Sequence, residues 1–523
     1  MQNLRSFPLL APAGLALGAL LLAGSPPVSA SEPSGPAASP SSAEGLGGRL
    51  VTVSTSAQLS AALKAAKAGD TIELLDGSYT IGTLTGKSGT ATAPITIRAK
   101  NLGRAVITGG HLSIVDSAHI IVSGLTWKNT VKFDTLSIID SQYVRLTRNH
   151  FAFAPEPSPV PDKSYHWVFI SGTDSGHHRV DHNLFENKTL IGNFVDIVGT
   201  EPQISQYNRV DHNHFRNAVP QYDAKGKLKN GGESIRVGVS TVSESSGYNV
   251  IEHNLFEDCD ADPEIVSIKS DDNIVRYNTI RHSSGAVTAR RGDRNSYYGN
   301  FFFGDGKAGT GGIRLYGDDQ RVYNNYFEGL TGTGFLAALQ LGGGDIGYDA
   351  DPTDRKAWSK HWPVRRAQIV NNTFVNNVSN IEIAGDYTSY NYPPVGSLIA
   401  DNIVVGSQGA LFKEALEPVN HTYAGNIAHP TGTATVGVSA PPSAIRVTDP
   451  RLTNDTGLYR LADGSPAIDA ASSRYPYVHA DMDGQARALP DVGADEWSRA
   501  PVLRRPLDMT DVGVNAPETS HRP

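Results

Sequence analysis

One short pattern returns along most of the chain: an asparagine followed two positions later by phenylalanine or another apolar residue. It appears as Asn149-His-Phe151, Asn183-Leu-Phe185, Asn213-His-Phe215, Asn254-Leu-Phe256, Asn278-Thr-Ile280, Asn300-Phe-Phe302, Asn325-Tyr-Phe327, Asn372-Thr-Phe374, Asn402-Ile-Val404 and Asn426-Ile-Ala428. The tightest steps are 24, 22, 25 and 24 residues, and longer steps of 30 to 47 read as the same turn carrying an inserted loop. Strand-like runs such as Asn273-Ile-Val-Arg-Tyr precede most copies. A unit this short cannot bury its apolar face alone, so the copies must stack. The spacing therefore predicts an all-β fold: a single right-handed parallel β-helix with a long, narrow core of inward side chains. The repeated asparagine fits a turn position, either through its tolerance of the left-handed conformation or through stacked side-chain amides. A capping helix is predicted over residues 56–68, with Ser56 as its N-cap, to close the N-terminal end of the core. The Pro-, Asp- and Arg-rich stretch 441–523 reads as final turns plus a tail along the outside, so that one β-helix domain occupies 49–523.

The first residues carry a different message. Arg5, the apolar run 11–23 and Val28-Ser29-Ala30 have the layout of a signal peptide over 1–30, followed by a Ser/Pro/Ala/Gly-rich, disordered leader over 31–48. The expected location is therefore outside the cytoplasm, extracellular or periplasmic. The apolar run is short for a membrane span and Pro26-Pro27 follow it, and no later run is long enough to cross, so no membrane partner is expected. Cys259 is the only cysteine, which excludes an intramolecular disulfide; it reads as a small buried residue rather than a nucleophile. A formal net charge of −8 disfavours general nucleic-acid binding. Any polyanion must be met through a local basic cleft.

Such a cleft is suggested by the strands themselves. In Val266-Ser-Ile-Lys269, Val287-Thr-Ala-Arg290, Ser234-Ile-Arg236-Val237 and Ile313-Arg314-Leu-Tyr316, alternation turns apolar residues inward and Arg236, Lys269, Arg290, Arg314 and Tyr316 outward. The step from Lys269 to Arg290 is 21 residues, which puts the two cations on neighbouring rungs. If the strands stack, Arg236, Lys269, Arg290 and Arg314 form one outward column, with Gln340 next. The alternative is that each cation pairs with a local surface acid. Asp258, Asp260, Asp262 and Glu264 lie upstream of Lys269, with Asn230 and Glu233 one turn earlier. Hard oxygens from adjacent turns are what Ca²⁺ takes, and the alternative is a solvated acidic loop. The His-Asn pairs at His182, His212 and His253 fall at the repeating turn, which favours a turn role over zinc ligation. No phosphate loop or serine-nucleophile elbow is present. Adjacent Asp271 and Asp272 face opposite ways on a strand and cannot flank one glycosidic bond.

The segments Asn230-Gly-Gly-Glu-Ser-Ile-Arg236, Glu264-Ile-Val-Ser-Ile-Lys269-Ser, Val287-Thr-Ala-Arg290-Arg291-Gly, Gly311-Gly-Ile-Arg314, Asn324-Asn-Tyr-Phe-Glu-Gly-Leu330 and Asp491-Val-Gly-Ala-Asp-Glu496 resemble those of polysaccharide lyase family 6, the alginate lyases and chondroitinase B-type lyases. The resemblance covers roughly 50–515. It implies a parallel β-helix that cleaves an anionic uronate polymer by β-elimination with calcium. It further implies Lys269 as base, Arg290 as acid, Asn230, Asp262 and Glu264 as calcium ligands, and substrate contacts from Arg236, Arg314, Arg291 and Tyr316. Two positions depart from the family pattern: Asp262 where a glutamate is common, and Arg291 where a histidine usually follows the catalytic arginine. Alginate is the expected substrate. A chondroitin or dermatan sulfate lyase and a non-catalytic glycan-binding β-helix are the alternatives.

Overall fold

A computed structural model describes residues 48–518, except 352, 386, 387, 455 and 456. The segment expected as a signal peptide and all but the last residue of the expected leader lie outside the described residues. From Gly48 onward the chain winds through three long parallel sheets of 14, 12 and 14 strands, joined rung after rung in the same cyclic order. This is the parallel β-helix that the repeat predicts.

The strands form where β-branched and aromatic residues alternate with polar ones, and the inward residues align along the coil. Val168, Val195, Ile235, Val266, Val287, Ile313, Leu339 and Ile381 are successive register partners down the 12-stranded sheet, and all are buried. On the adjoining 14-stranded sheet, Phe151, Phe185, Phe215 and Phe256 stack with ring centroids 4.6, 4.9 and 5.0 Å apart. These spacings match the strand-to-strand distance.

The ten repeated asparagines form one unbroken amide ladder. Each Nδ2 from Asn149 to Asn402 donates to Oδ1 of the next asparagine at 2.9–3.1 Å, ending on Asn426. The left-handed turn belongs to the residue before, as at Arg148, His182, His212, His253 and Tyr277, whose φ lies between 51° and 58°. Stacked amides, not αL asparagines, are therefore what the repeat encodes. The histidines of the His-Asn pairs stack as well: the rings of His182, His212 and His253 lie 4.8 and 5.0 Å apart.

The N-terminal helix spans Ser56–Ala65 and buries Leu59, Ala62 and Leu63 against the first coil. Its N-cap is Thr55, which accepts from the Gln58 N–H, rather than Ser56. The Ser56 hydroxyl instead accepts from the Thr80 N–H of the neighbouring coil. At the other end the last rung is the strand Ile445–Val447, followed by a small antiparallel hairpin of Leu452–Asn454 and Tyr459–Leu461. The remaining chain runs back along the outside. Ala494 N–H donates to Thr373 Oγ1, Leu507 N–H to Thr279 Oγ1, and Gly513 N–H to the His212 carbonyl. Cys259 is buried, and burial pushes its thiol up to about 12, as suits an inert core residue.

Candidate active site

The candidate residues come from the 12-stranded sheet. Its register differs from simple alternation. Arg236 pairs across the ladder with Ser267, Ser267 with Thr288, Thr288 with Arg314 and Arg314 with Gln340. Lys269 and Arg290 are therefore not in the column of Arg236 and Arg314. The strand Glu264–Lys269 pairs with Gly285–Arg291 through two irregularities. One lies between Glu264 and Val266, the other beyond Ile268, so that Lys269 is opposite Arg291 and Arg290 is the extra residue. A bulge re-aims side chains. Here it sets Lys269 opposite Arg291 and leaves Arg290 as the extra residue, outward as alternation from the buried Ala289 predicts.

Every cation of the group faces an acid. Arg236 makes a two-pronged pair with the buried carboxylate of Asp196, at 2.9 and 2.6 Å. Lys269 Nζ lies 3.4 Å from Glu233 Oε1, while Asn193 Nδ2 donates to Glu233 Oε2 at 2.9 Å. Arg314 donates to Glu264 Oε1, with Arg290 Nε 3.7 Å from the same atom, and Ser267 Oγ donates to Glu264 Oε2 at 2.6 Å. The alternating charges explain how like cations share a narrow face.

The acids are crowded. Asp262 Oδ2 accepts from the Gly231 and Gly232 N–H groups at 2.7 and 3.1 Å, and its Oδ1 from the Glu264 N–H at 2.9 Å. Both glycines are required for this approach: Gly231 has φ of 93°, and a Cβ on Gly232 would lie 2.6 Å from the Ala261 carbonyl oxygen. Burial, reinforced by the charges of Glu233 and Glu264, pushes the Asp262 carboxyl up to about 7. Burial also raises Glu233, but Lys269 and Arg236 outweigh it and hold that carboxyl below its ordinary value. Asn230, Asp262 and Glu264 line one cavity of about 410 Å³ together with Arg314, Thr333 and Phe335. An amide and two carboxylates, of which Asp262 is held by backbone N–H groups rather than by a cation, are a fitting donor set for a hard divalent cation. Outside this cavity two further groups gather possible ligand atoms within 4.8 Å of one another, His182–Asp211–His212 and Asp481–Asp483–Asp495. In the first, both imidazole Nδ1 atoms are already bonded to Asp181 and Asp211.

Two expected substrate contacts are covered. Tyr316 is 1% exposed, its ring packed 4.7 Å from that of His361. Arg291 is 5% exposed and spends its guanidinium on Glu244, Ser243 and the Ala357 carbonyl while lying over the Trp362 ring. Alternation predicts Tyr316 outward and Arg291 turned away from Arg290; the bulge sets Arg291 opposite Lys269, and His361 covers Tyr316 while Ala357 and Trp362 cover Arg291. Asp196, Glu233 as the partner of Lys269, and His361 are site residues that the sequence pattern does not assign. Glu233 was visible only as one acid among several, and no motif marks His361.

The family model for chondroitinase B matches residues 53–392. The chain belongs to the chondroitinase B family, within polysaccharide lyase family 6. No curated protein matches it. Among solved structures it is similar to the PL6 family alginate lyase AlyGC, at 26% identity and TM-score 0.68, over 87% of this chain and 59% of that one. The chain thus spans about three-fifths of that lyase. It shares its fold with a mannuronic acid specific family 6 lyase from human gut microbiota (23% identity, TM-score 0.62, 73% and 86% covered). It also shares it with a PL6 alginate lyase solved with a trisaccharide (23%, TM-score 0.64, 86% and 94% covered).

Proposed function

We propose that this member of the chondroitinase B family is a secreted, calcium-dependent alginate lyase that cleaves the polymer by β-elimination. The observation that carries the reading is that Lys269 and Arg290 each lie against a carboxylate, Glu233 and Glu264, and that Glu264 in turn lines a cavity with Asn230, Asp262 and Arg314. β-Elimination needs a base for the proton on C5 of the uronate and a positive group for the oxygen leaving C4. Lys269 serves the first role through its neutral amine, and Glu233, 3.4 Å from Nζ, positions that nitrogen. Arg290 has the second. An arginine releases its proton reluctantly, so its contribution is charge stabilisation of the leaving oxygen or relay through water.

Asn230, Asp262 and Glu264 would hold Ca²⁺. When bound there it would offset the charge that develops on the uronate carboxylate as the proton leaves. Arg314, held between Glu264 and the face of Phe335, grips the anionic chain alongside. Arg236 contributes its field but has its hydrogen bonds committed to Asp196.

Incubation with alginate should produce ultraviolet-absorbing unsaturated ends, which only elimination makes. Excess chelator should stop the reaction, and Ca²⁺ should restore it better than Mg²⁺, whose octahedral demand is stricter. Because the family takes its name from chondroitinase B, dermatan and chondroitin sulfate belong in the same panel. Product from those and none from alginate would transfer the reading to the sulfated polymers. Binding without unsaturated product from any of them would make the protein a glycan-binding β-helix.

A further inference from the structure

The loop of residues 342–367 joins the strands Leu339–Leu341 and Gln368–Val370 and does more than cover Tyr316. It is tied down at several points. Arg291 reaches the Ala357 carbonyl from one side while its other nitrogens hold Glu244 and Ser243, so one buried guanidinium bridges two loops. Arg355 makes a two-pronged pair with Glu201 at 2.6 and 2.8 Å. Within the loop, Asp345 Oδ1 accepts from the His361 N–H, and the His361 carbonyl accepts from the Asp345 N–H.

These ties deliver His361 to the cationic end of the cleft. Its ring lies 4.7 Å from Tyr316 and 4.9 Å from Tyr390, with the Tyr390 hydroxyl 3.0 Å from Nδ1, and 17% of its side chain remains exposed. Phe335, whose face carries the Arg314 guanidinium, packs edge-on against Tyr390. Burial, and then the charges of Arg290, Arg314 and Lys360, push the imidazole down to about 3, so it is neutral in use. A neutral imidazole among arginines has little to offer a carboxylate. With the Tyr390 hydroxyl on Nδ1, Nε2 is the ring atom left to exchange a hydrogen bond with a sugar hydroxyl.

We infer that His361, held by a loop that Arg291 anchors against Tyr316, over whose ring the Arg314 guanidinium lies, is a specificity-determining contact that reads a sugar hydroxyl beside the carboxylate. Arg291 is then a positioning residue that acts through His361. The inference rests on the uronan-cleaving reading above. Its chemistry distinguishes the C5-epimeric uronates mannuronate and guluronate, in which the hydroxyls are set differently relative to the carboxylate, more than it affects the elimination itself.

The test compares kcat/KM on polymannuronate and polyguluronate for wild type, His361→Ala, His361→Gln and Arg291→Met, with affinity electrophoresis on both polymers and melting temperatures alongside. His361→Ala should raise KM more than it lowers kcat and change the ratio between the two polymers by about tenfold, the worth of one hydrogen bond. His361→Gln, which keeps a donor and an acceptor at similar reach, should restore part of the ratio. Arg291→Met should reproduce the change and open the loop to trypsin at Arg355, Lys356 and Lys360. An unchanged ratio in a folded His361→Ala protein would overturn the inference. So would an Arg291→Met protein whose loop is cut while the ratio stays put. If wild type cleaves neither uronan, the functional reading fails by itself, and the relative retention of the variants on the two polymers then decides the inference. Retention that does not differ from wild type, or no retention at all, overturns it.

Discussion

The amide ladder and the cleft are built on the same rungs and solve opposite problems. Along the ladder, identical residues meet at every step and each satisfies the next, from Asn149 to Asn426. In the cleft, no rung repeats its neighbour. Asp196 is followed by Arg236, Ser267, Thr288, Arg314, Gln340 and Glu382, and the ladder slips twice beside Lys269 and Glu264. Uniform register gives a rigid rail. Alternation already turns the cations out of the core, and the broken register changes which of them meet, setting Arg291 rather than Arg290 opposite Lys269. The proposed chemistry sits beside the place where the repeat is violated.

The most damaging way to break this contrast is at the slip. Lys269→Ala should lower kcat by roughly 10²–10⁴-fold, the usual cost of a lost general base. Lys269→Arg should not rescue it, because arginine stays protonated. Since Lys269 faces the buried Glu233, the alanine variant should also lose about 1–3 kcal/mol of stability, more than an ordinary surface change. Near-normal turnover by the folded variant would remove Lys269 from the base role.

On the regular side, Phe215→Ala empties one position in the aromatic stack and should cost about 3–5 kcal/mol in denaturant unfolding. Activity of the protein that remains folded should be unaffected. Asn254→Ala orphans the Asn213 amide and backbone N–H and should cost about 1–3 kcal/mol, again without changing KM. Either variant altering substrate affinity would show that rail and cleft are coupled.

A pH titration sharpens the same comparison. The folded-state value of Asp262 is raised, to about 7, so the metal-free fold binds this proton more tightly than the unfolded chain does. That contribution is fully present below the ordinary carboxylate value and is lost as pH rises through 7. In chelator the melting temperature should fall over this window. Asp262→Asn, and likewise Ca²⁺, should make the fall shallower without abolishing it, because burial also raises Asp293, Asp495 and Glu496 to about 7. The asparagines of the ladder do not titrate, so the ladder variants should keep the wild-type slope. The smallest effect belongs to the exposed surface: Arg366→Ala, which removes pairs to Asp318 and Asp319, should cost under about 1 kcal/mol.

The sequence made the coil legible because its signal is repeated: ten asparagines each announce one turn, and the structure joins all ten. The candidate ligands Asn230, Asp262 and Glu264 were legible for a related reason, since strands that follow one another in sequence are neighbours in space. What alternation could not give was the exact opposition of residues across rungs. The expected column of Arg236, Lys269, Arg290 and Arg314 fails because Arg236 faces Ser267 and Arg314 faces Thr288, each two residues short of the expected cation, and one extra residue in Gly285–Arg291 then sets Lys269 opposite Arg291; nothing in Val-Thr-Ala-Arg-Arg marks that insertion. Tyr316, read as outward, and Arg291, a substrate contact implied by the family resemblance, are both buried by a loop that carries Ala357, His361 and Trp362. His361 arrives on that loop, 71 positions after Arg290, with no local pattern to announce it.

The tail that runs back along the coil has a mechanical consequence. A stack of rungs held only by its neighbours peels from its free end, one turn at a time. Here the chain leaves the last rung and is pinned in turn to Thr373, Thr279, His212 and finally Arg148, whose guanidinium holds the Val514 and Ala516 carbonyls. It acts as a guy rope: pulling the last rung away also strains attachments hundreds of residues earlier. Clipping the chain after the hairpin should therefore turn an all-or-none collapse into progressive fraying from the C-terminal end.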